Sequence, residues 1–326
     1  MPKLTVVTGA AGFIGRNVVA ELNRRGNSDL LLTDVLGTDE KWQNLVGLRY
    51  EDLLNPDQLI EKIETNALGE VDAIIHLGAC SATTEKDADY LLENNYRYTR
   101  TLCEWSLRHG ARFVYASSGA TYGDGSLGYD DADTVTPNLK PLNMYGYSKH
   151  MFDLWALKND LYKKGIVGLK YFNVFGPYED HKADMRSVVN KAYQQILKTG
   201  EVTLFKSDRP EYRDGEQMRD FVYVKDAADV TIWFATDRQA PGGLYNCGTG
   251  QARTWVDLAQ ATFAAMGRRP VIRFIDMPAT LKGKYQYFTQ AESAKLKAAG
   301  FTTPFRTLEE AVKDYVDTYL RPTFGG

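Results

Sequence analysis

The sequence predicts an α/β protein built on a doubly wound parallel sheet. Short apolar runs alternate with helix-length segments, which is the pattern of strand–helix–strand units. A glycine-rich turn, Gly9-Ala-Ala-Gly12-Phe-Ile-Gly15, also joins the first apolar run to the first helical segment. Together they indicate a Rossmann sheet. The regular alternation of apolar runs and helical segments ends after Pro177, which predicts a smaller, interleaved C-terminal substrate domain.

In the first half of the chain, apolar runs mark the strands and capping signals mark the helices. We expect strands at 4–8, 29–33, 73–77, 113–117 and 167–172. We expect helices at 13–25, where Gly26 stops the helix, at 56–66, in a long stretch ending near His109, and at 145–164. Asn55 and Pro56 are typical of a helix cap and first helical residue.

The second half predicts fewer elements. A helix near 185–198 leads to a charged, turn-rich stretch at 206–217, and a strand at 220–224 is expected to return to the main sheet. Thr254 with Asp257, and Thr307 with Glu310, have the spacing of capping boxes that begin two further helices. We therefore assign residues 1–175 and 219–250 to an NAD(P)-binding domain, and 176–218 and 251–326 to a substrate-binding domain.

Composition excludes several classes of partner. The 326 residues are 44% hydrophobic and 25% charged, with a net charge of −3, so neither nucleic acid nor an anionic membrane is expected to bind. We identify no secretory signal and no apolar run of the ~20 residues that span a bilayer. Three scattered cysteines have no metal spacing and favour a reducing compartment. We expect a cytoplasmic protein without a metal.

The glycine turn predicts a dinucleotide site. Gly9 permits the tight turn, Gly12 lets the backbone approach a pyrophosphate, and Gly15 lets the helix pack closely on the sheet. A glycine-rich turn without a ligand is the alternative. Asp34, at the end of the second strand, favours NAD through the adenosine ribose, whereas Lys41 can meet a 2′-phosphate or can be a solvated loop lysine. Spacing alone leaves NAD and NADP open.

A second motif indicates proton transfer. Tyr145 and Lys149 are four residues apart and therefore share one helix face. A neighbouring ammonium can lower a tyrosine pKa of ~10 by ~1–3 units, which makes the phenol a general base. Ser118, at the end of a preceding strand, can bind the same substrate oxygen. The alternative is an ordinary surface pair.

These residues resemble the extended short-chain dehydrogenase/reductase family, whose members act on nucleotide-linked sugars. Dehydratases of that family carry an acidic pair just after the Ser118 position, but residues 119–123 contain no carboxylate. Reduction or epimerisation is therefore favoured over elimination.

Longer strings resemble one subfamily, the ADP-L-glycero-D-manno-heptose 6-epimerases of lipopolysaccharide core synthesis, over essentially the whole chain. They are His76-Leu-Gly-Ala-Cys-Ser-Ala-Thr-Thr-Glu85, Pro141-Leu-Asn-Met-Tyr145-Gly-Tyr-Ser-Lys149, Tyr171-Phe-Asn173-Val-Phe-Gly-Pro177, His181-Lys182, Arg219-Asp-Phe-Val-Tyr-Val224, Leu281-Lys-Gly-Lys-Tyr285-Gln-Tyr-Phe-Thr-Gln290 and Leu296-Lys-Ala-Ala-Gly300. The resemblance implies that C6 of the heptose loses a hydride to NADP, with NAD as the alternative, and regains it on the opposite face.

The resemblance also implies roles for individual residues. Tyr145 serves one face of the transient ketone and Lys182 the other. Lys149 positions the cofactor ribose and tunes Tyr145, and Ser118 binds the substrate oxygen. Cofactor contacts carried over are Phe13, Ile14, Asp34, Val35, Lys41, Leu77, Gly78, Ala79, Cys80, Ser81, Asn94, Val174 and Lys182. Substrate contacts carried over are Ser118, Asn173, Asp184, Lys191, Phe205, Lys206, Ser207, Asp208, Arg219 and Tyr285. A homo-oligomer is implied, a pentamer being one form.

Val35, Pro56, Asp184 and Lys191 depart from the subfamily pattern, and the stretch 209–218 is longer than that pattern. They bear on substrate identity more than on the chemistry. Two other readings therefore stay open. One is an epimerase or reductase of another nucleotide-sugar, such as a UDP-hexose 4-epimerase. The other is a nicotinamide-sensing protein without catalysis, which the complete set of Ser118, Tyr145 and Lys149 disfavours.

Overall fold

A computed structural model describes residues 4–278 and 285–324, with the side chains of 183, 184, 323 and 324 left out. Its strands are β1 (Leu4–Thr8), β2 (Leu30–Thr33), β3 (Asp52–Leu54), β4 (Val71–His76), β5 (Arg112–Ser118), β6 (Val167–Tyr171), β7 (Asn173–Phe175), β8 (Val202–Phe205), β9 (Met218–Tyr223), β10 (Gly243–Cys247), β11 (Ala252–Thr254) and β12 (Ile272–Ile275).

The helices lie between these strands. They are α1 (Phe13–Arg24), α2 (Pro56–Glu64), α3 (Ala88–Leu91), α4 (Tyr98–His109), α5 (Met144–Lys158), α6 (Val188–Thr199), α7 (Val224–Thr236), α8 (Trp255–Ala265), α9 (Ala294–Ala298), α10 (Leu308–Tyr315) and α11 (Arg321–Phe324). Short 3₁₀ segments cover Glu40–Leu45, Gly119–Tyr122, Thr136–Asn138, Tyr162–Lys164 and Asp180–Met185. Leu92–Arg97 and Val316–Leu320 are π-helical segments.

The main sheet is parallel and has the strand order β10-β6-β5-β4-β1-β2-β3. Successive strand residues point to opposite faces, so Val7 packs with α1 and α7 while Val6 packs with α2, α4 and α5. Both faces of the sheet are thus covered by helices. The prediction of an α/β, doubly wound fold is confirmed.

Local sequence explains several helix ends. Asn55 caps α2 and Pro56 is its first residue, as the sequence predicts, and Gln58 completes a capping box with Asn55. The two capping boxes at Thr254 and Thr307 are also present and begin α8 and α10.

Two predicted helices are present with different ends, and one predicted strand lies in a different sheet. The helix expected at 145–164 ends at Lys158, because Asp160 takes a left-handed φ of +53° that an α-helix cannot continue. The helix expected near 185–198 begins at Val188, where Ser187 caps it. The strand near 220–224 exists as β9 but pairs with β7 and β11 in a separate sheet, and β10 occupies the outer position of the main sheet.

A second unit packs beside the main sheet. β8 pairs with β12, and this two-stranded sheet shares an apolar cluster with α6 and α8 that contains Ile196, Leu204 and Phe263. These elements fall within the segments assigned to substrate binding, and the domain division itself stays a prediction. In the described ranges, none of the helices has the length and apolar character needed to cross a bilayer.

Candidate active site

The glycine turn between β1 and α1 forms a cradle that larger residues would fill. Gly9 has φ +68°, and a Cβ there would lie 2.6 Å from the Gly78 nitrogen. A Cβ on Gly15 would lie 2.0 Å from the Gly9 oxygen, so both positions need glycine. A Cβ on Gly12 would meet the Gly9 oxygen at 3.0 Å and otherwise face open space. The open side of Gly12, at the N-terminus of α1, fits a dinucleotide pyrophosphate.

Asp34 and Lys41 form an ion pair next to this turn. Asp34 Oδ2 accepts a hydrogen bond from the Ala11 nitrogen at 2.8 Å, and Oδ1 lies 2.6 Å from Lys41 Nζ. Lys41 Nζ also donates to the Val35 carbonyl at 2.9 Å. Lys41 is therefore not a free, solvated lysine of the loop. It neutralises the carboxylate of Asp34 at the place where an adenosine ribose is expected.

Tyr145 and Ser118 come together because α5 approaches the end of β5 closely. Asn143 caps α5 by accepting from the Gly146 nitrogen at 2.8 Å. A Cβ on Gly146 would lie 2.9 Å from the Ala120 oxygen, so a larger residue would push the helix away. Tyr145 is half-buried here, and Lys149, one turn later, is buried.

The electrostatics of this pair differ from the sequence prediction. Burial raises the pKa of Tyr145, and a hydrogen bond with Ser118 opposes that rise. Burial also lowers the pKa of Lys149 to about 8, against the opposing charge of Asp153. The prediction that Lys149 holds the pKa of Tyr145 below its usual value is thus wrong for the free chain, because loss of solvent dominates.

A buried polar network supports the strand that carries Ser118. Asp153, one turn beyond Lys149, accepts hydrogen bonds from Tyr115 and Ser117, both at 2.7 Å. Its carboxylate also lies 3.7 Å from Lys170 Nζ, and both side chains of this ion pair are fully buried. The network fixes α5 against β5 and β6.

The loop after β4 is held by a different clamp. Asn95 accepts from the Cys80 nitrogen and donates to the Cys80 carbonyl, both at 2.9 Å, and also donates to Ser148 at 3.0 Å. His76 bridges Thr8 and Thr99 at 2.7 and 2.8 Å. Residues 77–81 are therefore tied to both β1 and α5, and the side chain of Asn94 donates to that of Asn95 at 3.0 Å.

Lys182 lies on the 3₁₀ segment Asp180–Met185, with its Nζ 4.9 Å from the centre of the Phe13 ring. Burial lowers the pKa of Lys182, and the charge of Glu179 opposes that shift. Glu179 anchors the segment: it accepts from Ser187 and from the Tyr315 hydroxyl, the latter at 3.0 Å. The side chain of Asp184, a predicted substrate contact, lies outside the described residues.

One cavity of about 470 Å³ joins the two motifs. It brings together these predicted residues: Gly9, Gly12, Phe13, Ile14, Gly15, Asp34, Lys41, Leu77, Ala79, Ser81, Ser118, Tyr145, Lys149, Val174 and Lys182. Its wall also contains residues that the sequence did not identify as site residues: Ala116, Ser117, Tyr171, Phe172, His181 and Met185. Other predicted contacts lie outside the wall: Val35, Gly78, Cys80, Asn94, Asn173, Lys191, Arg219, Tyr285 and residues 205–208.

Two of the predicted substrate residues, Arg219 and Tyr285, form a second group outside the cavity wall, called the Arg219 group below. The buried guanidinium of Arg219 lies 4.9 Å from the ring centre of Tyr285 and 5.7 Å from that of Trp255. Trp255 Nε1 donates to the Tyr285 hydroxyl at 2.8 Å, and sequence reasoning missed this tryptophan. Tyr287 hydrogen-bonds Asp208, which ties the loop after β8 to the same segment.

Some of the remaining predicted contacts have partners of their own. Thr289 donates to Asn173 at 3.5 Å, and Lys206 pairs with Asp276 at 3.1 Å. The Ser207 nitrogen donates to Asp214 at 2.9 Å. Residues 281–284 of the tail string lie outside the described ranges. Within those ranges, no three His, Cys, Asp or Glu side chains cluster as metal ligands.

The sequence matches the model of a known protein family. The NAD dependent epimerase/dehydratase family matches residues 5–248, which is most of the chain. A protein of Nitratidesulfovibrio vulgaris named ADP-L-glycero-D-manno-heptose-6-epimerase is 54% identical over 316 residues, which cover 97% of each chain. A protein of Fusobacterium nucleatum with the same name is 46% identical over 329 residues, which cover 97% of this chain and 98% of that one.

Solved structures agree with the fold. The crystal structure of Helicobacter pylori ADP-L-glycero-D-manno-heptose-6-epimerase aligns with a TM-score of 0.79 and 26% identity, covering 96% of this chain and 95% of that one. A Thermus thermophilus UDP-glucose 4-epimerase in complex with NAD aligns with a TM-score of 0.72 and 25% identity, covering 96% and 97%.

Proposed function

Because the chain belongs to the NAD dependent epimerase/dehydratase family, we propose that it inverts C6 of an ADP-linked heptose. The reaction passes through a transient ketone, and its product feeds lipopolysaccharide core synthesis. The observation that carries the proposal is the single cavity that contains the glycine turn together with Ser118, Tyr145, Lys149 and Lys182. The relatives that are 54% and 46% identical, and that carry the epimerase name, support the choice of substrate.

The cofactor of the proposal is NADP. The cradle made by Gly9, Gly12 and Gly15 supports dinucleotide binding, and Lys41 supplies a cation for a 2′-phosphate while it neutralises Asp34. NAD is the alternative, since Asp34 suits an adenosine ribose. A dinucleotide held there would supply hydride transfer from and back to the sugar carbon.

Ser118 and Tyr145 act on the substrate alcohol in this proposal. Ser118 orients the substrate oxygen, and Tyr145 takes the proton of the alcohol as its carbon is oxidised. Because burial raises the pKa of Tyr145, the phenol keeps its own proton in the free chain and needs a cation nearby to give it up. The positive ring of a bound nicotinamide would bring that charge, and Lys149, one turn further along α5, would add to it.

Lys182 serves the other face of the transient ketone. It enters the cavity from the 3₁₀ segment, whereas Tyr145 enters from α5, so the two groups come from different elements. Burial lowers the pKa of Lys182, which makes proton transfer to and from its amine easier near neutral pH. The hydride returns to the face of the ketone opposite to the one from which it left, and this inverts the configuration at C6.

Arg219 holds the nucleotide-sugar diphosphate. A guanidinium presents a planar fork that matches two phosphate oxygens, and the rings of Tyr285 and Trp255 keep this fork in place. The substrate must therefore span from the cavity to the Arg219 group. We also propose a cytoplasmic homo-oligomer, a pentamer being one form, which sedimentation analysis measures.

The experiment uses purified protein loaded with NADP. ADP-D-glycero-D-manno-heptose is incubated with the protein, and proton NMR follows the appearance of its C6 epimer. UDP-glucose and UDP-galactose are run in parallel, since a UDP-hexose 4-epimerase is the second enzymatic candidate. Conversion of the heptose alone supports the proposal. Conversion of the hexoses without the heptose contradicts it.

A further inference from the structure

His181 lines the cofactor cavity but has no role in the proposal above. Its Nδ1 lies 3.1 Å from Asn44 Nδ2. The same amide nitrogen donates to the Ala11 carbonyl at 2.9 Å and contacts the Tyr178 carbonyl at 3.4 Å. Asn44 therefore connects the glycine turn, the chain just before the 3₁₀ segment Asp180–Met185, and the imidazole of His181.

These contacts determine how the His181 ring is protonated. Carbonyl oxygens can only accept hydrogen bonds, so the atom of Asn44 that faces Ala11 and Tyr178 is the NH₂ group. That group donates to His181 Nδ1, which leaves the proton of the neutral ring on Nε2. No described residue accepts a hydrogen bond from Nε2.

The charges around the ring also favour its neutral form. Burial lowers the pKa of His181, and the ammonium groups of Lys41 and Lys182 lower it further. Asp39 and Asp34 face the ring as well and oppose that shift. At neutral pH the ring is therefore a fixed donor on the cavity wall instead of a cation.

The surroundings of this donor indicate an anionic ligand. It shares the cavity with Lys41 and with Gly12, where the positive end of the α1 dipole and free backbone N–H groups lie. An N–H donor, an ammonium and a helix N-terminus suit a phosphate. We propose that His181 is a cofactor-binding residue, positioned by Asn44, that donates its Nε2 hydrogen to a phosphate oxygen of the dinucleotide.

The inference rests on dinucleotide binding, which is part of the proposed function. The 2′-phosphate of NADP and the pyrophosphate of either dinucleotide offer the same oxygen chemistry. Titration calorimetry with NADP⁺ and NAD⁺ distinguishes them. If His181→Asn loses affinity for both cofactors, the partner of His181 is the pyrophosphate. If it loses affinity for NADP⁺ alone, the partner is the 2′-phosphate. Each of these results supports the proposal.

Two isosteric variants separate the donor from simple packing. The amide nitrogen of a glutamine reaches the position of the imidazole Nε2, whereas that of an asparagine reaches only the position of Nδ1. We expect His181→Asn to weaken dinucleotide binding about tenfold, the size of one solvated charge-assisted hydrogen bond, and His181→Gln to stay within about threefold of the unmodified protein. His109→Asn, at the end of α4, is the matched control and should leave affinity unchanged.

The outcomes are distinct. Unmodified affinity in both His181 variants, or an equal loss in both, overturns the inference, because a donor at Nε2 is present in only one of them. A higher Michaelis constant for the sugar with unchanged dinucleotide affinity also overturns it. Failure of the unmodified protein to bind either dinucleotide would instead contradict the proposed function. Thermal melting of each variant confirms that it is folded.

Discussion

Asp153→Asn should move the pH dependence of activity through Lys149. The carboxylate of Asp153 raises the pKa of Lys149 against burial, which leaves that pKa at about 8. Removing one nearby opposite charge shifts a pKa by about 1 unit, so Lys149 in the variant titrates near pH ~7. The neutral asparagine keeps nearly the same shape: its oxygen can accept from Tyr115, and its NH₂ group, in the place of the second oxygen, can donate to the Ser117 hydroxyl.

The magnitude follows from the fraction of Lys149 that stays charged. At pH 8 that fraction falls from about one half to about one tenth, which is roughly a fivefold loss of kcat/KM if the ammonium is the active form. At pH 7 the loss is only about twofold by the same relation. Because the charged form disappears as pH rises, the alkaline limb of the profile moves to lower pH.

The assay is the kcat/KM profile of heptose epimerisation between pH 6 and 9.5, with Lys170→Met as the matched control. Both variants break the buried ion pair and should lose about 3–5 kcal/mol of unfolding free energy in urea titrations. Of the two partners in this ion pair, Asp153 raises the pKa of Lys149 and Lys170 has no influence on it, so only the replacement of Asp153 should shift the limb. An unchanged limb in Asp153→Asn, or an equal shift in Lys170→Met, would refute the reasoning.

Two further substitutions test the two ends of the site. Lys41→Met removes the cation beside Asp34 and should weaken NADP⁺ binding about tenfold in calorimetry while sparing NAD⁺, and an equal loss for both cofactors contradicts it. Trp255→Phe removes the donor to Tyr285 and should raise the sugar KM about three- to tenfold at near-normal kcat, for the loss of one ~1 kcal/mol hydrogen bond. A fall in kcat at constant KM would instead exclude a role in binding.

The sequence alone was enough to predict which residues lie together wherever the geometry of a helix or a turn determines its neighbours. Tyr145 and Lys149 could be placed together because residues four apart share a helix face, and the glycines of the turn could be identified from their spacing. β10 was missed, since residues 243–247 contain no apolar run. The strand near 220 was predicted but assigned to the wrong sheet. Its partners β7 and β11 are distant or unpatterned in the sequence, so no local signal shows that they pair with it.

Long-range burial explains what could not be predicted within the site. Asp153, four residues after Lys149, has the spacing of an ordinary exposed helix pair. Only packing against β5 and β6 brings it to Lys170 and removes solvent from both. The same loss of solvent raises the pKa of Tyr145, which the motif alone predicts to fall. Trp255 and His181 acquire their roles only through contacts with distant segments.

Tyr145→Phe tests the central claim most directly, because it removes one hydroxyl and keeps the ring in the cavity. We predict that the variant binds NADP⁺ within about threefold of the unmodified protein, by calorimetry, and loses about 10²–10⁴-fold in heptose epimerisation, the usual contribution of a general acid–base group. Near-normal epimerisation in that variant would contradict the account.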